Sequence, residues 1–338
     1  MNICSDCFSD SELDAFIKSQ NNLGKCDICS STDNSTILID ELEDFFQELI
    51  DNYQVWDTGE PIKNKIQDHW SLFSSHKIAS KILNYILPKL KTEITNSEVG
   101  VDYIDEIIEN YSYWEKLKDE LKWEKRFVTN VELLTEDLGW DGFFNAQYIL
   151  TPDVTLYRAR VHYKSGDPAY TPEKMSCPDP EIVNSGRLNP SGIPVLYLSD
   201  NEETILYEVR ASFLDEVSVG KFKLRMSNHS INIVDFTEDV SIFNPGYVNN
   251  TIKSKLLKGN ISRDLSKPMR RYDSELEYIP TQFICEFIRV VTGANGIRFQ
   301  SSLHPKGKNV VIFDEDLMEC TEVSLVKVNN VTLSSKDR

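Results

Sequence analysis

The sequence predicts an α+β protein in three parts: a cysteine-bound module, a helical domain and a mixed α/β domain. Three observations carry that expectation. Two Cys-x-x-Cys pairs stand near the N-terminus, apolar residues recur at helical spacing from about residue 37 to 150, and beyond Thr151-Pro152 short alternating runs are separated by turns. The expected divisions are therefore 1–36, 37–150 and 151–330. A chain of 338 residues with 40% apolar side chains has enough material to fill such cores.

Cys4-x-x-Cys7 and Cys26-x-x-Cys29 flank a short helical segment at 11–20. Each pair can clasp a metal from a tight knuckle, and together they match the spacing of a four-thiolate zinc site. Four thiolates close the coordination shell, so the expected role of zinc is structural. Disulfides are the competing reading. They are disfavoured because Met1-Asn2-Ile3-Cys4 lacks the basic and apolar regions of a signal peptide and no apolar run reaches membrane-spanning length. The expected location is the cytoplasm, and Cys177, Cys285 and Cys320 are scattered as buried single thiols would be.

In the second part, Leu42, Phe45, Phe46, Leu49, Ile50 and Tyr53 share one helical face, and Ile78, Ile82, Leu83, Ile86, Leu87 and Leu90 share another, with Pro88 expected to bend or end that helix. Ile104, Ile107, Ile108, Tyr111, Trp114, Leu117 and Leu121 make a third, and the three predict a helical bundle. Residues 1–150 carry 29 of the chain's 54 acidic residues but only 13 of its 36 basic ones. Such a surface repels nucleic acid; the near-neutral remainder has room for a local basic pocket suited to phosphates. The run WDGFF at 140–144 reads as a packed junction into the third part.

There, alternation at 154–161, 217–224, 231–236, 309–313 and 323–328 predicts strands. The best helix is 281–291, stopping before Gly293 and feeding a strand at 297–301, while 256–278 reads as a helix and a loop near the pocket. The centre is 186–210. A Gly186-Arg187 turn with Asn189, Pro190 and Gly192 leads through an apolar run into a helix that Asp200 or Asn201 can cap. Glu208 lies one position off the apolar face of that helix, and Arg187 and Tyr197 stand at either end of the strand before it.

No metal-ligand cluster, G-x-S-x-G elbow, G-x-x-x-x-G-K-[ST] loop or strand-borne G-x-G-x-x-G accompanies these residues, which removes support for metal hydrolysis, ATP chemistry and hydride transfer. The set suits a diphosphate joined to an electron-poor sugar. Guanidinium groups pair with phosphate oxygens, an aromatic ring packs against a flat base, and a carboxylate near an anomeric carbon favours an oxocarbenium-like transition state. Taken singly, Arg187 could be a turn ion pair, Tyr197 a core ring and Glu208 part of a solvated face; the ordered set points to cleavage of an N-glycosidic bond.

Gly186-Arg187-Leu188-Asn189, Ser191-Gly192, Tyr197-Leu198-Ser199 and Leu206-Tyr207-Glu208 resemble the landmarks of the RES family, as do LYRAR at 156–160, GANGIRFQSS at 293–302 and KNVVIF at 308–313. Leu188 stands where tryptophan is commoner, and Tyr207 where a small or aliphatic residue is usual. The resemblance implies an ADP-ribosyltransferase-like fold and NAD+ as substrate, with water, phosphate or a protein side chain as acceptor. It also implies a toxin role opposite an Xre-type antitoxin. By position it implies Glu208, Arg187, Tyr197 and Ser301 or Ser302 as catalytic, the two serines not being distinguished. Arg158, Arg187, Asn189, Tyr197, Ser199 and Asn309 would contact NAD+, with Arg158 and Arg187 gripping the diphosphate. The N-terminal zinc and helical segment is similar to the HEPN-like extension of some members. No arginine precedes Arg126, so His69 and His76 lack the partner of the nuclease motif and read as surface or packing residues.

The expected function is nicotinamide–ribose cleavage as a glycohydrolase or phosphorylase. The alternatives are ADP-ribosyl transfer to a protein and a non-catalytic ADP-ribose sensor. The expected partners are NAD+ and a protein docked on the acidic half, with neither nucleic acid nor membrane; a homo-oligomer stays open.

Overall fold

The computed structural model describes residues 1–145, 148–226, 229–268 and 275–331. The chain forms two compact units, Met1–Tyr113 with Asp239–Leu257 and Trp114–Glu238 with Lys258–Arg338. These packing units do not coincide with the divisions expected at 36 and 150. The cysteine module has no core of its own: one apolar cluster runs from Ile3 to Ile107 and takes in Ile242, Val248 and Ile252. Trp114, which helical periodicity groups with the first unit, is buried in the second, where its indole donates to Asp264 Oδ2 at 2.7 Å.

In the first unit, strands β1 (Asn2–Cys4), β2 (Leu23–Gly24) and β3 (Asn34–Leu38) form an antiparallel sheet in the order β1-β3-β2. Helices follow at Glu43–Ile50, Ile62–Trp70 and His76–Ile86, and helix Asp105–Asp119 begins in this unit, which ends at Tyr113. Pro88 sits in the 3-10 turn that ends the third of these, because it has no amide hydrogen to continue the ladder. The expected all-helical bundle is interrupted by β4 (Tyr53–Pro61) paired with β5 (Gly100–Tyr103). Their Val, Thr, Tyr and Trp content explains the departure, as β5 buries Val101 and Tyr103 in alternation. His69 Nδ1 lies 2.9 Å from the Tyr103 hydroxyl oxygen, and His76 pairs with Asp68 at 2.8 Å, so both histidines are packing or surface groups.

Asp10 organises this unit from the N-cap of helix Ser11–Ser19. Its Oδ1 accepts from the amides of Glu12 and Leu13 at 3.1 and 3.0 Å, and its Oδ2 from the amides of Ile242 and Phe243 at 2.9 and 3.3 Å. Ser241 Oγ donates to the same carboxylate at 2.6 Å. A buried carboxylate is tolerated there because amide donors replace its hydration.

The second unit is built on an eight-stranded sheet: β6 (Tyr148–Leu150), β7 (Leu156–Val161), β8 (Leu196–Ser199), β9 (Glu216–Leu224), β10 (Ile231–Asp235), β11 (Gly296–Gln300), β12 (Lys308–Ile312) and β13 (Met318–Lys327). Their order is β13-β9-β7-β8-β12-β11-β10-β6, and among the described residues only β10 and β11 pair in parallel. Three-residue β6 is too short to show alternation. Leu156, Leu196, Leu198, Phe222, Val310 and Ile312 pack on one face; register places Tyr197, Ser199 and Asn309 on the other. Helix Ile279–Phe287 runs into a further turn at Ile288–Thr292 and ends at Gly293, whose φ of +68° favours glycine. The junction reading of 140–144 fits burial of Trp140 and Phe144, the latter stacked edge-on against Phe287. Of the loop expected within 256–278, residues 269–274 lie outside the described residues. The α+β class stands, and among the described residues no helix is long and apolar enough to cross a membrane.

Replacing Asp10 by Ala strands several buried donors, so chemical denaturation should show a loss of about 2 kcal/mol or more. Asp10→Asn, which keeps one acceptor, should recover part of it. A change below about 0.5 kcal/mol would remove the organising role given to this carboxylate.

Candidate active site

Glu208 is the last residue of helix Glu202–Glu208, whose N-cap is Asn201, its Oδ1 accepting from Thr204 N at 2.8 Å. A carboxylate at a helix C-terminus faces the negative end of the dipole and needs compensation. Ser301 Oγ donates to Glu208 Oε1 at 2.6 Å and Asn309 Nδ2 donates to the same oxygen at 2.8 Å. Asn309 is itself oriented by Ser199 Oγ, which donates to its Oδ1 at 2.7 Å. Register explains the geometry, because Asn309 on β12 stands opposite Ser199 on β8 and Phe299 on β11. Neither donor engages Oε2. The structure thus separates the two serines: Ser301 holds the carboxylate, and Ser302 lines the cavity beside it.

The loop after Ser301 is pinned to the same helix. Ser301 Oγ accepts from the amides of Leu303 and His304 at 3.2 and 3.0 Å, His304 Nδ1 lies 2.8 Å from Thr204 Oγ1, and its ring stacks on Tyr207 with centroids 5.1 Å apart. A Cβ on Gly307 would come within 1.8 Å of Thr204 Oγ1, so the loop can close over the helix only with glycine there.

Arg187 lies in the turn before β8 and Tyr197 on β8 itself, and both line one cavity. Tyr197 donates its hydroxyl to Asn189 Oδ1 at 3.0 Å and accepts from Leu188 N at 2.9 Å. Burial pushes its phenol well above the usual range, against the Leu188 bond, so it serves as a neutral hydrogen-bonding and packing group. A Cβ on Gly186 would lie 2.5 Å from Asn189 Oδ1 and 3.0 Å from the Tyr197 hydroxyl, which accounts for the Gly-Arg pair. The Arg187 guanidinium turns its Nη1 to the carbonyls of Asp264 and Leu265, at the C-terminal end of helix Val248–Leu265. Burial lowers its pKa, with Tyr278, Glu208 and Tyr197 opposing.

Two supports escaped the sequence reading. Gln282 Nε2 donates to the carbonyls of Gly186 and Asn189 at 2.7 and 3.0 Å, and Thr281 Oγ1 to that of Arg187 at 2.6 Å. The visible signal was two adjacent polar residues near the start of a largely apolar helix.

Arg187, Tyr197, Glu208, Phe299, Ser302 and Asn309 line one cavity of about 90 Å3. Asn189 and Ser199 are buried behind it, acting through Tyr197 and Asn309 instead of lining it. Arg158 is not brought to this site. Tyr157 pairs with Ser199, so Arg158, one residue on, projects from the opposite face of the sheet. There Cys177 and Glu315 favour its charge against burial. Its expected grip on the diphosphate is corrected accordingly.

Apart from this site, the four N-terminal thiols form a cage. Sulfur separations are 3.8 Å for Cys4–Cys7, 3.5 Å for Cys4–Cys29 and 3.7 Å for Cys7–Cys26, and all four ligand atoms lie within 4.8 Å of one another. Tetrahedral zinc with bonds of about 2.3 Å requires sulfurs roughly 3.8 Å apart, so the residues fit the ion. The amides of Ile28 and Cys29 point at Cys26 Sγ from 3.4 and 3.5 Å, as outer-shell donors to a thiolate would.

The family model described as the RES domain matches residues 155–333, and the chain belongs to the RES domain family. Among solved structures, the chain is similar to the M. tuberculosis MbcT-MbcA toxin-antitoxin complex at 12% identity and a TM-score of 0.33, covering 55% of this chain and 88% of that one. No curated protein matches.

Metal analysis of the purified protein should find about one zinc per chain. Cys4→Ser combined with Cys26→Ser should abolish it and open the first forty or so residues to protease. A zinc-free protein with undiminished protease resistance would overturn the structural role.

Proposed function

We propose that this RES domain protein consumes NAD+ by breaking the bond between nicotinamide and ribose, releasing the ADP-ribosyl group to water or phosphate. The observation that carries the reading is Glu208, a half-buried carboxylate oriented through one oxygen by Ser301 and Asn309 while lining a cavity walled by Tyr197, Phe299 and Arg187. A carboxylate so placed can stabilise positive charge developing at C1′, and the aromatic rings offer a surface for nicotinamide. Arg187 supplies positive charge toward the phosphate-bearing side. Ser301, Asn309, Ser199 and Asn189 are positioning groups, which act by holding Glu208 and Tyr197 in place.

Membership of the RES family supports the same substrate and a growth-inhibiting role checked by an antitoxin. The acidic first half of the sequence is the surface we assign to a protein partner. A purely sensing role is less well supported, because a carboxylate braced by two donors gives a phosphate ligand little that a neutral residue would not.

Glu208→Gln keeps volume and an acceptor for both donors but removes the charge. Nicotinamide release should fall by at least about a hundredfold with NAD+ affinity largely kept. Undiminished release would sink the catalytic assignment. Between the serines, Ser301→Ala should lower kcat by about tenfold or more and Ser302→Ala should act mainly on KM. Measuring release with and without inorganic phosphate, and following the ADP-ribosyl product, separates hydrolysis from phosphorolysis; label carried into protein would favour transfer instead.

A further inference from the structure

Beside the Glu208 cavity lies a second one, of about 100 Å3, and Arg187 lines both. Its other charged walls are Lys118, Lys122, Lys267, Asp264 and Glu277. Four cations against two carboxylates leave a positive excess in an enclosed space, where charge is felt more strongly than at an open surface. Lys118 and Lys122 stand four residues apart, one helical turn, and their side chains are only 17% and 14% exposed. Lys118 Nζ is 2.8 Å from Asp264 Oδ2 and Lys122 Nζ is 2.8 Å from Glu277 Oε1, while Lys267 reaches Glu277 Oε2 at 3.3 Å. Glu277 thus places two oxygens between two ammonium groups, an arrangement a phosphate could take over.

The first cavity is too small for a whole dinucleotide, since cavities that enclose complete cofactors run to about 300–1,000 Å3. We propose that the second cavity takes the diphosphate, with Lys118 and Lys122 supplying the charge. Both lysines precede residue 155 and so lie outside the RES match. The inference rests on the reading of the Glu208 cavity as the nicotinamide–ribose end. It places Arg187 at the step from sugar to phosphate, and it gives residues outside the family domain a direct part in substrate binding.

The test uses the full chain carrying Lys118→Gln and Lys122→Gln, with inorganic pyrophosphate as competitor against NAD+. KM for NAD+ and the inhibition constant of pyrophosphate should both rise at least tenfold, with the loss falling on KM more than on kcat. Because removing the lysines strands Asp264 and Glu277, Glu277→Gln provides a test of opposite sign: withdrawing a competing carboxylate should lower both constants. Unchanged constants in the lysine variant, or a raised pyrophosphate constant in Glu277→Gln, would overturn the proposal. Should the wild-type protein release no nicotinamide, the reading of the Glu208 cavity fails, and calorimetry with pyrophosphate alone decides the second cavity. Binding that the lysine variant loses supports the anion site, and absence of binding to the wild type rejects it.

Discussion

The bond pattern at Glu208 is the constraint on which the candidate site depends. A carboxylate closing a helix opposes the helix dipole, and it stays in place because Ser301 and Asn309 both donate to one of its oxygens. Each donor makes its own demand on the fold. Asn309 must face Ser199 across β12 and β8, and a slip of one residue would turn it to the other side of the sheet. Ser301 must leave β11 and double back over helix Glu202–Glu208, which Gly307 permits by carrying no Cβ against Thr204. Register, loop closure and helix capping therefore converge on one oxygen atom.

Arg187 is held by a different kind of force. Its guanidinium meets carbonyls at the end of helix Val248–Leu265, where the backbone carries partial negative charge, and its own carbonyl is tied to Thr281. The same region brings Asp264 onto Trp114 and Lys118 at 2.7 and 2.8 Å. Helix ends and a turn, elements that seldom pack tightly, are locked here by polar contacts instead of apolar ones. Such contacts define direction more sharply than apolar packing does, which suits the phosphate-facing role proposed for Arg187.

Much of this was legible beforehand because it depends on local pattern. Alternation located β7, β9, β10, β12 and β13, the apolar run before the helix marked β8, and residues 186–210 disclosed Arg187, Tyr197 and Glu208. The cysteine spacing marked the cage because metal geometry leaves few alternatives. What escaped notice depends on pairing at a distance. Helical periodicity cannot see that Tyr53–Pro61 will find Gly100–Tyr103, since a strand exposes its character only through its partner. Nor could it place Arg158, whose face is set by the pairing of Tyr157 with Ser199. Gln282 and Lys118 looked like ordinary polar positions on helices; their roles arise from segments some hundred residues away.

The bonds from Ser241, Ile242 and Phe243 to Asp10 bear on how the chain is made. The first unit lacks Asp239–Leu257 until the ribosome has produced about 130 further residues beyond Tyr113. At roughly 5–20 residues per second, that interval is on the order of ten seconds. During it the amide acceptor at Asp10 and the apolar sites that receive Ile242, Val248 and Ile252 wait unfilled in a nascent chain. Most of the sheet's first strands emerge in the meantime, so vectorial synthesis delivers the second unit's beginning before the first unit's end. Chains truncated just before Asp239 and just after Leu257 should therefore differ in compactness far more than their lengths alone would produce.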